Sequence, residues 1–524
     1  MARPPARPDA WTSNRIAWGL GAAAGLLVLL TLGDPGITVD EPLDVRPGQA
    51  YVQALWSRGW HFFDRAVVDR VFADNAEHPP LGRWLLGIAS TLGEPFLGGL
   101  DPYSVHAGRL APALCFAALV GLITREMGRR YGRAAGVVAG LAPVLMPRVF
   151  AHAHLAALDT FLSLFWVWAL LAAARALEAR RTVVAMAGAG VVWGLALLTK
   201  IHGWLLAPVV ITWTVLRLRS LRSVVALAAW GIAGVALFFT GWPWLWYDTS
   251  ERLWRYFGTA GAGRLVLHVQ YFGQVYADRD VPWHYPWFYF AATVPIGLHA
   301  LGGLGLAASW RRRRDDPFPL LSAAAIGLFL VLFSTNVPVY DGERLFLVAF
   351  PLWALLIGLG FRAAWTWAGP KAWRRWGLVG LLLAQGYGVV ALHPFGLSYY
   401  NALVGGLPGA ERLGLELTYW GDAVDAVLLD ELAGQARPGQ LAAMAPTLHH
   451  LQAPAAMTPE LLQRKITLAD ESALAKADWV VLYRRSAYWN KDVRALARTR
   501  PTALRTRQGI WLSGLWPGPT APRP

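Results

Sequence analysis

The stretch ITVDEPLDV, residues 37–45, places two adjacent carboxylates, Asp40 and Glu41, directly before a proline and just beyond a long apolar run. A carboxylate held against a hydroxyl can take its proton in a transition state, an effect of roughly 10²–10⁴-fold. The same pair can instead serve the positive end of a helix dipole, with Pro42 in the first turn. Pro42 also biases Glu41 toward extended backbone, so the two side chains are expected to point to opposite sides and only one to face a substrate. Four other short segments carry ionisable groups: His78 before Pro79 and Pro80; His152, His154 and Asp159 in AHAHLAALDT; Lys200 and His202 in TKIHG; and Asp341, Glu343 and Arg344 in VYDGERLF. The guanidinium of Arg344 matches phosphate oxygens, unless Glu343 or Asp341 engages it. Lys200 reads either as a second cation or as a side chain snorkelling to a membrane interface. His152 and His154 form an H-x-H pair, a weak metal pattern better read as hydrogen bonding. A carboxylate such as Asp159, at the first turn of an apolar segment, is costly without a purpose.

Helices in a membrane have to bring these groups together. The chain is 55% hydrophobic, 15% charged and holds 28 tryptophans, where a soluble domain has about a quarter charged residues. Apolar runs of about 17–25 residues, enough to cross roughly 30 Å of hydrocarbon, recur along it. We read about eleven of them, near 16–33, 105–124, 134–150, 156–174, 182–199, 203–216, 223–241, 286–309, 318–335, 345–363 and 376–392. The net charge of +15 does not signal nucleic acid, because its arginines sit in alternate short loops between the apolar runs. The positive-inside rule then puts the N-terminus in the cytoplasm and, with an odd span count, the C-terminal tail outside. The single cysteine, Cys115, excludes an intrachain disulfide.

The segment PLGRWLLGIASTLG, residues 80–93, is too short to span, and counting it would invert every later loop. Its apolar residues recur at helical spacing, which suits a helix lying in the interface. The expected organisation is a cytoplasmic tail at 1–15, a transmembrane domain at 16–392 with external loops at 34–104 and 242–285, and an external α/β domain at 393–524. Strands are expected at 441–446, 465–470 and 478–485, with helical stretches such as DAVDAVLLDELAG between them; the short Pro/Arg-rich ends read as disordered. Trp60, Trp242, Trp244 and Trp246 read as an interfacial belt rather than as stacking platforms for a sugar.

The charged candidates thus gather at one membrane surface, whereas a secondary transporter needs them near the midplane, commonly within repeats. An enzyme acting at the outer face on a lipid-borne substrate fits better than a flippase of a lipid-linked sugar. VDEP (39–42), EHPPLGRWLLG (77–87), AHLAALDTFL (153–162), LALLTKIHG (195–203) and YDGERLFLVAFP (340–351), followed by HPFGLSYYNALVGG (393–406) and TYWGD (418–422), resemble in order the protein O-mannosyltransferase group, glycosyltransferase family 39. They are also similar to the aminoarabinose transferases acting on lipid A. The resemblance covers roughly residues 15–425 and implies an integral protein of a bacterial inner membrane. Its implied activity is inverting transfer of a sugar from a polyprenyl phosphate to an acceptor hydroxyl, on a protein, a glycolipid or a polysaccharide. It implies Asp40 as general base and Glu41 as its catalytic companion. Arg344 and Lys200 would bind the donor phosphate, and His78, Asp159, His152 and His154 would position loops and acceptor. A divalent metal, used by some relatives in the wider superfamily, is left unassigned.

Overall fold

The computed structural model describes residues 10–73, 78–218, 220–259 and 265–520. Most of the expected tail at 1–15, and Glu77 of the EHPP motif, lie outside the described residues. Among those described, six helices are long and apolar enough to cross a membrane: Val105–Tyr131, Asp159–Ala176, Ile201–Leu218, Leu221–Thr240, Ala349–Ala368 and Ala372–Leu392. The run read as one span at 286–309 is instead two helices, Tyr285–Thr293 and Ile296–Arg311, bent by 111°. The break falls at Val294-Pro295, where the proline ring removes a helical donor and pushes the preceding residue to extended backbone. Shorter apolar helices fill four other expected segments, Asn14–Leu30, Arg133–Leu145, Thr182–Leu197 and Phe318–Leu332.

The first loop is folded, and its folding carries the site. Helices Asp40–Arg58 and Leu81–Leu97 cross at Gly48 and Gly87. A Cβ on Gly87 would stand 2.1 Å from the Gly48 carbonyl oxygen, and one on Gly48 would stand 2.2 Å from that of Arg83. Only glycine at both points lets the backbones touch. The second helix leaves Ile88, Leu92 and Phe96 exposed on one face while Arg83, Leu86 and Ser90 are buried on the other. The extended backbone expected at Glu41 is not observed: Asp40, Glu41 and Pro42 form the first turn of the Asp40–Arg58 helix. Proline is tolerated there because the first-turn N–H groups have no intrahelical acceptor.

In the second loop, strands β1 (His268–Tyr271) and β2 (Gln274–Ala277) form a hairpin. Its two-residue turn, Phe272-Gly273, has both residues at positive φ, which matches the twist of the flanking strands. Trp242 and Trp244 are buried and stacked at 5.4 Å, so the belt reading does not hold for them; Trp60 and Trp246 are exposed.

The tail folds as an α/β unit. Strands β3 (Leu441–Ala445), β4 (Thr467–Ala469), β5 (Trp479–Tyr483), β6 (Ala503–Arg507) and β7 (Ile510–Pro517) form one sheet in the order β4-β3-β5-β7-β6. The β3–β4 and β3–β5 pairs are parallel, the β5–β7 and β6–β7 pairs antiparallel. Asp425 caps the helix Ala426–Gln435 by accepting from the Leu428 N–H. The unit is tied to the first loop by backbone bonds from Gly36 to the Asp422 carbonyl (2.8 Å) and from Val39 to the Trp420 carbonyl (3.1 Å). Val39 directly precedes Asp40, so the C-terminal segment sets where the acidic pair begins.

Candidate active site

Asp40, the first residue of its helix, is partly exposed, at 24%. It forms an ion pair with Arg344, and both line a cavity of about 570 Å³. Arg344 meets two more carboxylates, Asp159 through Nε at 3.3 Å and Asp341 through Nη1 at 3.2 Å. Its guanidinium also lies 4.2 Å over the Trp420 ring, a stacking that favours a delocalised cation. Burial alone would favour the neutral form, but the Asp40 and Asp159 charges outweigh it and hold Arg344 firmly protonated. The Arg344 turn follows Asp341 and Gly342, both at positive φ. The Gly342 N–H donates to the Tyr285 hydroxyl at 3.0 Å, which fixes this reversal.

Lys200 does not snorkel. It is 3% exposed and its Nζ donates to Asp159 Oδ1 at 2.6 Å. Asp159, at the first turn of its helix, therefore joins Lys200 to Arg344. His78 and His202 line the same cavity, each with a buried Nδ1 that finds no hydrogen-bond partner. Burial, reinforced by Arg83, Lys200 and Arg344, pushes His78 well below the usual histidine range, so its ring is neutral.

Glu41, expected beside Asp40 as a catalytic companion, is removed from the cavity. It is fully buried, and both oxygens are occupied. Arg109 binds it through Nε at 2.7 Å and Nη2 at 2.9 Å, and the N–H groups of Thr38 and Ala156 donate at 2.8 Å each. One helical step of about 100° turns it away from Asp40. His152 and His154 also lie off the cavity lining. His152 stands 3.7 Å from Glu343 and edge-on to Trp420, whereas His154 bonds Thr31 at 2.9 Å and the Phe150 carbonyl at 2.9 Å. Burial pushes His154 down to about 4. Glu343 pairs with Arg148 at 2.6 Å rather than with Arg344. Among the described residues no group of three or more His, Cys, Asp or Glu side chains stands close enough to hold a metal ion.

Several lining residues have no counterpart in the expected set. Asp44 lies one turn after Asp40 on the same helix face and accepts from Arg83 Nε at 2.9 Å. The i,i+4 spacing was readable in ITVDEPLDV once that segment is taken as helical. Arg485 and His449 complete the polar end, beside Asp341 of the VYDGERLF stretch. Much of the remaining lining is apolar, with Trp204, Leu205, Tyr256, Phe257, Leu332 and Phe333.

A family model described as dolichyl-phosphate-mannose-protein mannosyltransferase matches residues 77–246. Over that segment the chain is similar to the protein O-mannosyltransferases. Of the solved structures it resembles, ArnT from Cupriavidus metallidurans in the apo state superimposes with a TM-score of 0.51 at 17% identity, covering 95% of this chain and 97% of that one. ArnT bound to undecaprenyl phosphate gives 0.48 at 18% identity over the same shares. The Archaeoglobus fulgidus oligosaccharyltransferase in the apo form gives 0.45 at 13%, covering 91% of this chain and 70% of that one. At 17% identity the likeness to ArnT shows a shared fold alone. No curated protein sequence matches this chain.

Asp422, in the TYWGD motif, is buried with neither carboxylate oxygen partnered in the protein. Burial pushes it up to about 7, and Glu416 likewise up to about 7. A carboxyl raised by folding stabilises the fold fully below its unfolded range near 4, and that stability is lost as the pH rises through 7. The thermal unfolding midpoint is therefore expected to fall between pH 5 and 8. Asp422→Asn should flatten that slope and be the more stable form at pH 8, by on the order of 3 kcal/mol. An unchanged slope in the variant would show that Asp422 does not titrate there.

Proposed function

We propose that the protein is an inverting membrane glycosyltransferase that moves a sugar from a polyprenyl phosphate to an acceptor hydroxyl at the extracytoplasmic face. The observation that carries this reading is one cavity lined both by a charged cluster, with Asp40, Lys200 and Arg344, and by aromatic and aliphatic side chains. Such a lining suits an amphiphile with an anionic head. The mannosyltransferase-like segment, which spans His78, Asp159 and Lys200, supports it.

In the step we propose, the acceptor oxygen attacks the anomeric carbon opposite the phosphate, and Asp40 takes the hydroxyl proton. The bond from the anomeric carbon to the phosphate oxygen breaks with its electron pair on that oxygen. A lipid phosphate leaves without protonation, so the site needs cations more than an acid; Arg344 and Lys200 are placed to hold the developing charge. Asp159, gripping both, sets their separation. His78, neutral, can donate or accept a hydrogen bond at the head-group without adding charge. Residues 393–524 form the extracytoplasmic part in this reading. An eleven-span topology, with the N-terminus cytoplasmic, requires the four shorter apolar helices and the bent pair to cross. In the same reading Leu81–Leu97 lies along the interface with Leu92 and Phe96 in lipid; a topology reporter after residue 95 with a cytoplasmic readout would overturn that count.

The test is transfer in proteoliposomes from a radiolabelled polyprenyl-phosphate hexose to protein, glycolipid and polysaccharide acceptors. Glycosidic product is expected. Flux of the intact lipid without product would favour a flippase instead. Arg344→Ala should raise the donor KM by about 10–100-fold, the range for losing a charge-assisted hydrogen bond to phosphate. An unchanged KM in a folded variant would remove Arg344 from phosphate binding.

A further inference from the structure

Arg485 belongs to the C-terminal unit, two residues after β5, yet it lines the cavity. Its guanidinium is almost wholly buried. Nη2 donates to Asp341 Oδ1 at 2.8 Å, Nη1 donates to the Tyr419 carbonyl, and the group lies 4.8 Å over the Tyr488 ring. The other oxygen of Asp341 accepts from Arg344 Nη1 at 3.2 Å. Asp341 thus bridges two guanidinium groups, one from each part of the chain. β5 is held on both sides, by β3 and β7, so the sheet fixes where Arg485 reaches.

A free carboxylate can turn both oxygens onto one guanidinium in a bidentate pair. Arg344 already meets Asp40 and Asp159, and a bidentate Asp341 would leave it little capacity for another anion. Arg485 prevents that by occupying one Asp341 oxygen. It also works against burial, the larger effect, which leaves the Asp341 carboxyl raised. We infer that Arg485 is a positioning residue of the donor site: through Asp341 it keeps Arg344 available to the lipid phosphate, which makes the C-terminal unit a working wall of the cavity. This rests on the reading of the cavity as the polyprenyl-phosphate site.

The experiment compares full-length wild type, Arg485→Gln, Arg484→Gln, Asp341→Asn and the Arg485→Gln/Asp341→Asn double variant, reading undecaprenyl-phosphate affinity, donor KM and kcat. Arg484 is the control, since it pairs with Glu411 and stacks on Trp511 outside the cavity lining. Arg485→Gln is expected to weaken lipid-phosphate binding and raise donor KM about tenfold with kcat changed less than about threefold, as for one lost charged contact. Adding it to Asp341→Asn should produce little further change, because the two act as one unit. Behaviour like that of Arg484→Gln, additive effects, or a loss confined to kcat would overturn the proposal. If wild type itself binds no lipid phosphate, it is the reading of the cavity that fails. Should Arg485→Gln not accumulate, Arg485→Lys decides, because it keeps the charge but loses the fork. A severalfold higher donor KM with kcat kept is expected, and a wild-type KM overturns the proposal.

Discussion

Asp40→Asn is expected to lower the rate of sugar transfer by roughly 10²–10⁴-fold while undecaprenyl phosphate still binds at least as tightly as to wild type. The two halves of that expectation have different origins. An amide of the same shape cannot accept the acceptor's proton, so the base is lost with little change in packing. Asp40 is also the partly exposed member of the cluster, and its removal leaves Arg344 with Asp159 and Asp341. No buried charge is stranded, so the fold should tolerate the change. Arg344, relieved of one carboxylate, should meet the donor phosphate more readily. Measured together, single-turnover transfer and lipid-phosphate affinity separate a lost base from a damaged donor site. Transfer at the wild-type rate would show that Asp40 is not the base, and weakened lipid binding would show that it organises the cavity instead.

The convergence of these groups was legible because ionisable residues are rare in such an apolar chain, and each lies at the edge of a hydrophobic run. That alone drew together Asp40, His78, Lys200, Asp159 and Arg344. Their division of labour was not legible. Glu41 and Asp40 are neighbours in sequence, and only the helix starting at Asp40 shows which one turns inward. Pro42 had suggested extended backbone at Glu41, a local steric preference that gives way where Glu41 is fixed by Arg109 and by the Thr38 and Ala156 N–H groups, while the missing proline N–H costs nothing in a first turn. Arg485 could not be assigned, since its contact with Asp341 joins residues 144 apart in sequence and no local periodicity reports that. The β6–β7 hairpin was missed for a different reason. Its arginine-rich strand resembles a polar tail by composition, and Gln508-Gly509, although both residues sit at positive φ, lacks the Asn or Asp that marks such a turn in a sequence. Pro295 could have flagged the 111° bend within 286–309.

Glu41→Ala is expected to destabilise the protein by about 3–5 kcal/mol, the cost of breaking a buried ion pair from one side. Arg109, itself fully buried, would keep its bonds to the Leu32, Pro35 and Gly36 carbonyls but lose its only carboxylate among the described contacts. The Thr38 and Ala156 N–H groups would lose their acceptor as well. Those bonds join the loop before Asp40 to the start of the Asp159–Ala176 helix, so the damage should spread to the relative placement of Asp40 and Asp159. Glu41→Gln keeps the shape but turns an NH₂ group toward a donor, and should lie between Ala and wild type. Thermal unfolding and protease resistance in detergent should therefore drop for both Glu41 variants and stay near wild type for Asp40→Asn. If Glu41→Ala instead unfolds like wild type and loses only kcat, the adjacent carboxylates share the chemistry after all, and the buried Arg109 pair is not what holds this loop.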